Sequence, residues 1–322
     1  MNQAKEMRLK KTNIDKFIKE KCANISAIVG GAEAINALSG GVDSAAVTML
    51  GHKAIGKKLK TYFIDNGLMR QNEARMVKDI FKKLGVEVNV INARNIFLNA
   101  LRGIEDAEMK REAISQTFYK DVFGRLVKNS HARFLLQGTI LTDIDETVAG
   151  IKRQHNVFEQ LGIDPEKSFG YKILEPLVRL RKDSVRYLAK SLGLPEDIYN
   201  RQPFPGPALA ARIIGEVTGE RIELARESTG ILEQECRGIK AFQYMAILHN
   251  DKVTGVRDGK RAFGAQIEIR CWDSTDARKA KPTNLPFKIL RKIADRITSE
   301  IAGVVSVTYN ITTKPPSTIE AV

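Results

Sequence analysis

The sequence predicts an α/β protein in two parts: a doubly wound parallel sheet, then a second, smaller α+β domain. Three observations carry this. Short apolar runs alternate with helical periodicities from Ala34 to Leu192, the pattern of parallel strands covered on both faces by right-handed crossovers. Pro203-Phe204-Pro205-Gly206-Pro207 then interrupts both periodicities, because prolines at that density suit neither a helix nor a central strand. Beyond it, strands follow one another with only two helical segments among them. The expected domains are 1–202, with a lid at about 142–171, and 203–322. A length of 322 residues suits two domains.

Met1 to Lys21 reads as a charged helix, and Ala34 to Leu38 as a buried strand running into Ser-Gly-Gly. Asp43 to His52 reads as a helix, Lys60 to Asp65 as the second strand and Glu73 to Leu84 as a helix stopped by Gly85. Val86 to Ile91 and Phe134 to Gly138 are the third and fourth strands, separated by a long helical stretch, Ala107 to Lys128. Thr142 to Tyr171 is polar and aperiodic, as functional lids often are. Ile173 to Leu177 is a strand, and Lys182 to Leu192 a helix ended by Gly193. In the second domain, helices are expected at Glu220–Gln234 and Phe287–Glu300. Strands are expected at 242–248, 252–257, 265–271 and 304–312.

Hydrophobic residues make up 43% of the chain and charged residues 28%, the balance of a globular protein with a core in each domain. No apolar run is long enough for a membrane span, and the first residues lack a signal core, so a cytoplasmic location and no membrane partner are expected. The cysteines Cys22, Cys236 and Cys271 are scattered and read as reduced thiols. The net charge of +14 favours polyanionic partners. Without an aromatic-interleaved basic run, direct nucleic-acid binding is not the expectation.

Ser39-Gly40-Gly41-Val42-Asp43-Ser44 joins a buried strand to a helix. Adjacent glycines remove the side chains that would block a phosphate, and the backbone N–H groups at a helix start face an anion. Ser39 and Ser44 add hydroxyl donors. Asp43 is out of place among phosphates unless a cation such as Mg²⁺ accompanies them. The hexapeptide therefore points to ATP, bound through its pyrophosphate, with Asp43 as the metal ligand. Gly51 to Lys58 approaches another phosphate-loop pattern, but it closes a helix where that motif must open one. Asp65 and the pair Gly138-Thr139 end the second and fourth strands. Ligands in open α/β sheets bind at those carboxyl ends, so these residues join the nucleotide site.

These motifs resemble the synthetase part of GMP synthetases, an ATP-pyrophosphatase domain of adenine nucleotide alpha-hydrolase-like fold followed by a dimerisation domain. The resemblance runs through Leu38 to Ser44, Asp65 to Arg70, Gln137 to Thr139, Lys152 to Asn156, Arg201 to Pro207, Gly215 to Thr218 and Lys314 to Glu320. It implies a ligase that adenylates XMP with ATP and Mg²⁺. Ammonia then displaces AMP to give GMP. Ser39, Gly40, Gly41, Asp43 and Ser44 would hold pyrophosphate and metal, Lys152 would act from the lid near His155, and Arg201, Lys314, Ile319 and Glu320 would face XMP. Nothing ahead of Ala34 resembles a glutaminase. The resemblance thus implies ammonia from solution or from a separate glutaminase subunit, and a homodimer through the second domain, with 304–312 able to pair across a two-fold axis.

The departures from the family pattern fall on the acceptor side. The lid reads Lys152-Arg-Gln-His-Asn156 in place of Lys-Ser-His-His-Asn, and Ala208 replaces a glycine. Trp272 to Ala277 is rewritten, and the chain ends Glu320-Ala-Val322 in place of an acid-aromatic-acid triplet. A paralogue that adenylates a different acceptor, and a non-catalytic ATP- or RNA-binding protein, stand as alternative readings.

Overall fold

A computed structural model describes residues 6–148, 171–257, 259–275 and 277–321. Lys152, His155 and most of the expected lid lie outside the described residues.

The strands are β1 (Glu33–Ala37), β2 (Leu59–Asp65), β3 (Val88–Asn92), β4 (Ala132–Leu136), β5 (Lys172–Leu174), β6 (Gln243–Arg257), β7 (Lys260–Asp273), β8 (Lys281–Pro282) and β9 (Val304–Tyr309). The main helices are α1 (Ile14–Val29), α2 (Val42–Ile55), α3 (Glu73–Lys83), α4 (Arg94–Leu101), α5 (Ala107–Gln116), α6 (Leu141–Val148), α7 (Lys182–Ser191), α8 (Gly219–Glu235) and α9 (Phe287–Glu300).

The chain forms two compact units. The first comprises 1–65, 72–93 and 116–201, and the second 66–71, 94–115 and 202–322. The sequence predicts two contiguous domains; in the structure two short excursions of the amino-terminal half belong to the second unit. Their hydrogen bonds give the reason. Leu209 N donates to Leu68 O at 2.9 Å, Arg226 Nε to Met69 O at 2.9 Å, and Arg70 Nε to Glu233 at 2.5 Å. Lys110 Nζ donates to Ile213 O at 2.8 Å.

The first unit carries a five-stranded sheet, ordered β3-β2-β1-β4-β5, in which every pairing is parallel. Burial of Ala34, Ile35, Phe63, Ile64, Leu135 and Leu136 is what a doubly wound sheet requires of its central strands. Helix α1 starts at Ile14, later than the periodicity suggests. Upstream, Met7 N donates to Arg179 O and Leu9 N to Ser184 Oγ, so this backbone is tied to the 179–184 segment. Asn13 also bonds locally to Lys10 N and Arg8 O, which competes with helix formation. Helix α2 runs to Ile55 and is closed by Gly56 at φ 56°, so the glycine-lysine run at 51–58 is a helix end. The helix expected over 107–128 is broken by a π-helical segment, Thr117–Phe123, before Gly124–Lys128.

The second unit holds a mixed sheet. β6 pairs antiparallel with β7 along most of its length, and β8 and β9 add to β7, β9 in parallel. The two strands expected at 242–248 and 252–257 are one strand interrupted by a bulge between Leu248 and Lys252. Arg221 on α8 satisfies that bulge by donating to Asn250 Oδ1 at 2.8 Å and His249 O at 3.0 Å. The strand expected at 304–312 ends at Tyr309 and pairs with β7 of its own chain.

Candidate functional site

In the strand order 3-2-1-4-5 the connections from β1 and β4 leave toward opposite sides, and the crevice at their carboxyl ends is the natural ligand position. Ser39 to Gly41 fills that point, between β1 and α2. The loop is tied to itself. Ser39 N donates to Ser44 Oγ at 3.1 Å, the two hydroxyls lie 2.9 Å apart, and Ser44 Oγ donates to Gly41 O at 3.0 Å. Gly40 adopts φ 78°, and a Cβ there would stand 2.5 Å from Glu73 Oε1, so only glycine fits. Gly138 lies against the first turn of α2: a Cβ would come within 3.1 Å of Asp43 C and Ser44 N. The structure thus brings Gly138 to the loop, as the sequence predicts. Thr139 follows it, buried, with its hydroxyl donating to Glu175 Oε1 at 2.5 Å. Asp65 closes the neighbouring strand, where its carbonyl accepts from Ala93 N at 2.9 Å.

Asp43 is the chemically loaded member. Its Oδ2 accepts from Lys182 Nζ at 2.6 Å, while Oδ1 is buried without a hydrogen-bond partner. Burial pushes the carboxyl above the ordinary carboxylate range, an effect opposed by the Lys182 ammonium and reinforced by Asp143. A buried carboxylate oxygen left without a donor fits a hard cation. Mg²⁺ is commonly held by one or two protein carboxylates with substrate phosphates completing the shell. Among the described residues no group of three or more His, Cys, Asp or Glu side chains forms an all-protein metal cage.

Lys182 escaped the sequence reading, although it carries a signal. A lysine opening a helix sits at the positive end of the helix dipole, where a cation is disfavoured unless an anion waits nearby. Glu73 and Asn36 were missed too. Arg201, expected to face XMP, donates from Nη2 to Glu73 Oε2 at 2.6 Å, from Nη1 to Glu73 Oε1, and from Nη1 to Gly40 O at 3.4 Å. Glu73 and Arg201 thus brace the loop from outside. Asn36, buried in the middle of β1, donates to Thr48 Oγ1 at 2.6 Å and accepts from Thr61 at 2.8 Å. Thr48 in turn donates to Ser44 O at 2.8 Å, so this buried chain fixes the start of α2 from beneath.

In the second unit, Phe204 of the proline-rich segment lies under two guanidinium groups, Arg70 at 4.0 Å and Arg212 at 4.5 Å from the ring centroid. Arg212 is buried, and desolvation lowers its pKa to about 10. Ile319 is buried with Met245, Ile247, Trp272 and Ala280. Trp272, one of the residues that departs from the family pattern, therefore packs beneath the carboxyl-terminal segment. Lys314 is joined to Ala280 by two backbone hydrogen bonds. Glu320 Oε1 accepts from Gln243 Nε2 at 2.9 Å, and its Oε2 is buried and unpartnered.

The sheet order, the loop at its switch point and the Asp43–Lys182 pair define the class: α/β proteins carrying an ATP-pyrophosphate loop. Residues 11–135 match the model of NAD synthase, and residues 232–321 match that of the GMP synthase C terminal domain. One subunit of the glutamine-hydrolyzing GMP synthase of Pyrococcus furiosus is 45% identical over 309 residues, covering 95% of this chain and 97% of that protein. The protein of the same name from Methanocaldococcus jannaschii is 44% identical over 310 residues, 95% and 98% of the two chains. NMN synthetase from Francisella tularensis is similar in structure at a TM-score of 0.45, with 17% identity over 61% of this chain and 77% of that one. The chain belongs to the family of these glutamine-hydrolyzing GMP synthase subunits.

Proposed function

We propose that this protein is the ATP-dependent synthetase that adenylates XMP and aminates the product with ammonia, giving GMP, AMP and pyrophosphate. The carrying observation is the closed Ser39–Ser44 loop with the buried, half-satisfied Asp43 at its centre. Relatives 45% identical over 95% of the chain leave the changed-acceptor and binding-only readings without support.

The loop N–H groups and the Ser39 and Ser44 hydroxyls receive the pyrophosphate. Asp43, with one carboxylate oxygen unpartnered, would hold a Mg²⁺ ion, which would supply charge neutralisation for the leaving pyrophosphate. Lys182, paired with the other oxygen of Asp43, adds a second positive charge beside the loop for the developing negative charge of the pyrophosphate. Lys314, Ile319 and Glu320 are assigned to the acceptor, Ile319 as the buried plug that sets its neighbours. Arg201 enters as the brace of Gly40; for it to reach XMP, the Glu73 pair has to open. Lys152 is assigned to the lid as a positive charge, with closure of the lid excluding water from the adenylated intermediate.

The reading includes a separate glutaminase subunit as ammonia source, a homodimer and a cytoplasmic location. No helix among the described residues is long and apolar enough to cross a membrane. Pyrophosphate release from ATP tests the central claim. Release is expected only with XMP, and GMP only when ammonium is also present. No XMP-dependent release under these conditions would sink it.

A further inference from the structure

Besides the Gln243–Glu320 hydrogen bond, the segment from Lys314 to Glu320 is anchored to the second unit at three places. Lys314 pairs with Ala280 through backbone, and Ile319 is plugged into the core. The third anchor is Arg270 on β7. Its Nη1 donates to Thr318 O at 3.1 Å and to Glu320 O at 3.4 Å. Its Nε donates to Glu268 Oε1 at 2.6 Å, and the other oxygen of Glu268 lies 2.7 Å from His249 Nε2 on β6. The guanidinium is therefore held on one side by a carboxylate that a second strand also grips. Its other side is aimed at the main chain of the carboxyl-terminal segment. Thr318 Oγ1 adds another donor to Glu320 O at 2.6 Å.

These bonds fix the backbone of Glu320, while its side chain is only half satisfied. Oε1 takes the Gln243 amide, and Oε2 is buried without a donor. Leaving a buried carboxylate oxygen unpaired is costly, and a flexible segment would swing it to water. Arg270 and Thr318 prevent that swing.

We propose that Arg270 is a positioning residue for the acceptor: it holds the main chain of Glu320 so that Oε2 stands ready for an N–H of a purine nucleotide. The inference rests on the assignment of Glu320 to the acceptor site made above.

Steady-state kinetics of pyrophosphate release by the full chain, with ATP, XMP and ammonium, test it. R270Q should raise KM for XMP about ten- to a hundred-fold, as expected for loss of charge-assisted hydrogen bonds. KM for ATP and kcat should stay within about two-fold, the signature of lost uniform binding. R270K keeps a cationic donor and should recover part of the loss. T318A removes a donor carried by an exposed residue and should raise the XMP KM to a smaller extent, which also covers the case in which R270Q does not fold. An unchanged XMP KM in folded R270Q overturns the proposal. So does an equal rise in both KM values, or, if R270Q does not fold, an unchanged XMP KM in T318A. Wild-type protein inert toward XMP would instead remove the assignment of Glu320, and this inference with it.

Discussion

Ala208 is buried at φ 55°, a left-handed conformation that disfavours any residue with a Cβ, and it stands where the family pattern has glycine. Ala208→Gly should stabilise the protein by about 1 kcal/mol in urea unfolding, because relief of the left-handed strain outweighs the added freedom of the unfolded chain. Lys182 makes a second prediction. Asp43 has a raised pKa, so the folded state favours its protonated form. Its cost to stability is present above that pKa and relieved as pH falls through it. Lys182→Met removes the main counter-charge and pushes the pKa higher still. The variant should lose thermal stability at neutral pH, and the deficit should shrink on acidification. Its XMP-dependent pyrophosphate release should fall about a hundred-fold. A deficit that grows on acidification would contradict the sign. Asp43 was legible in the sequence because a carboxylate inside a phosphate loop demands an explanation. Lys182 lies far along the chain, and only the packing of α7 beside α2 brings the two together.

At the scale of elements, Lys110 on α5 ties that helix to the 213–215 turn, with its ammonium donating to Ile213 O at 2.8 Å and Gly215 O at 2.5 Å. Burial, helped by the charge of Arg221, lowers its pKa from 10.5 to about 8. Between those values the folded state binds fewer protons than the unfolded one, so stability should rise with pH across that window. After allowance for solvent screening, the rise should be about 1–2 kcal/mol in urea unfolding, and Lys110→Met should abolish it. Most elements followed from periodicity, since strands β1 to β7 and β9 and helices α2, α3, α7, α8 and α9 begin or end within a few residues of the expected places, whereas β8, α4 and α6 were not expected, α6 lying where the aperiodic lid was expected to begin. The misses have local causes. The strands expected at 242–248 and 252–257 are one because Arg221 satisfies the carbonyl of His249 and the side chain of Asn250 at the bulge and lets the strand continue. The stretch ahead of Ile14 reads as helix by spacing, but Met7 N and Leu9 N donate to the 179–184 segment.

At the scale of the molecule, the net charge of +14 gives a prediction about the proposed glutaminase. An acidic partner would be steered by long-range attraction that salt screens over a Debye length of about 8 Å at physiological ionic strength. Glutamine-dependent GMP formation by the mixed proteins should therefore fall as salt rises, while ammonia-dependent formation by this chain alone holds steady. Equal salt sensitivity of the two rates would argue against an electrostatically assembled complex.

The sequence by itself determined the doubly wound sheet, the placement of Ser39–Ser44 between a buried strand and the helix after it, and the approach of Gly138 to that loop. Each rests on local rules: periodicity, turn chemistry and the need of a phosphate for bare backbone. That this turn stands at the switch point followed only from the strand order. The tertiary structure decided what no local rule reaches. It paired Asp43 with Lys182 and Glu73 with Arg201, and it ran Asn36, Thr48 and Thr61 as a buried chain beneath the loop. It also drew 66–71 and 94–115 into the second unit and set Arg270 against Glu320. All of these join residues remote in sequence, and burial raises the cost of leaving any one of them unpaired.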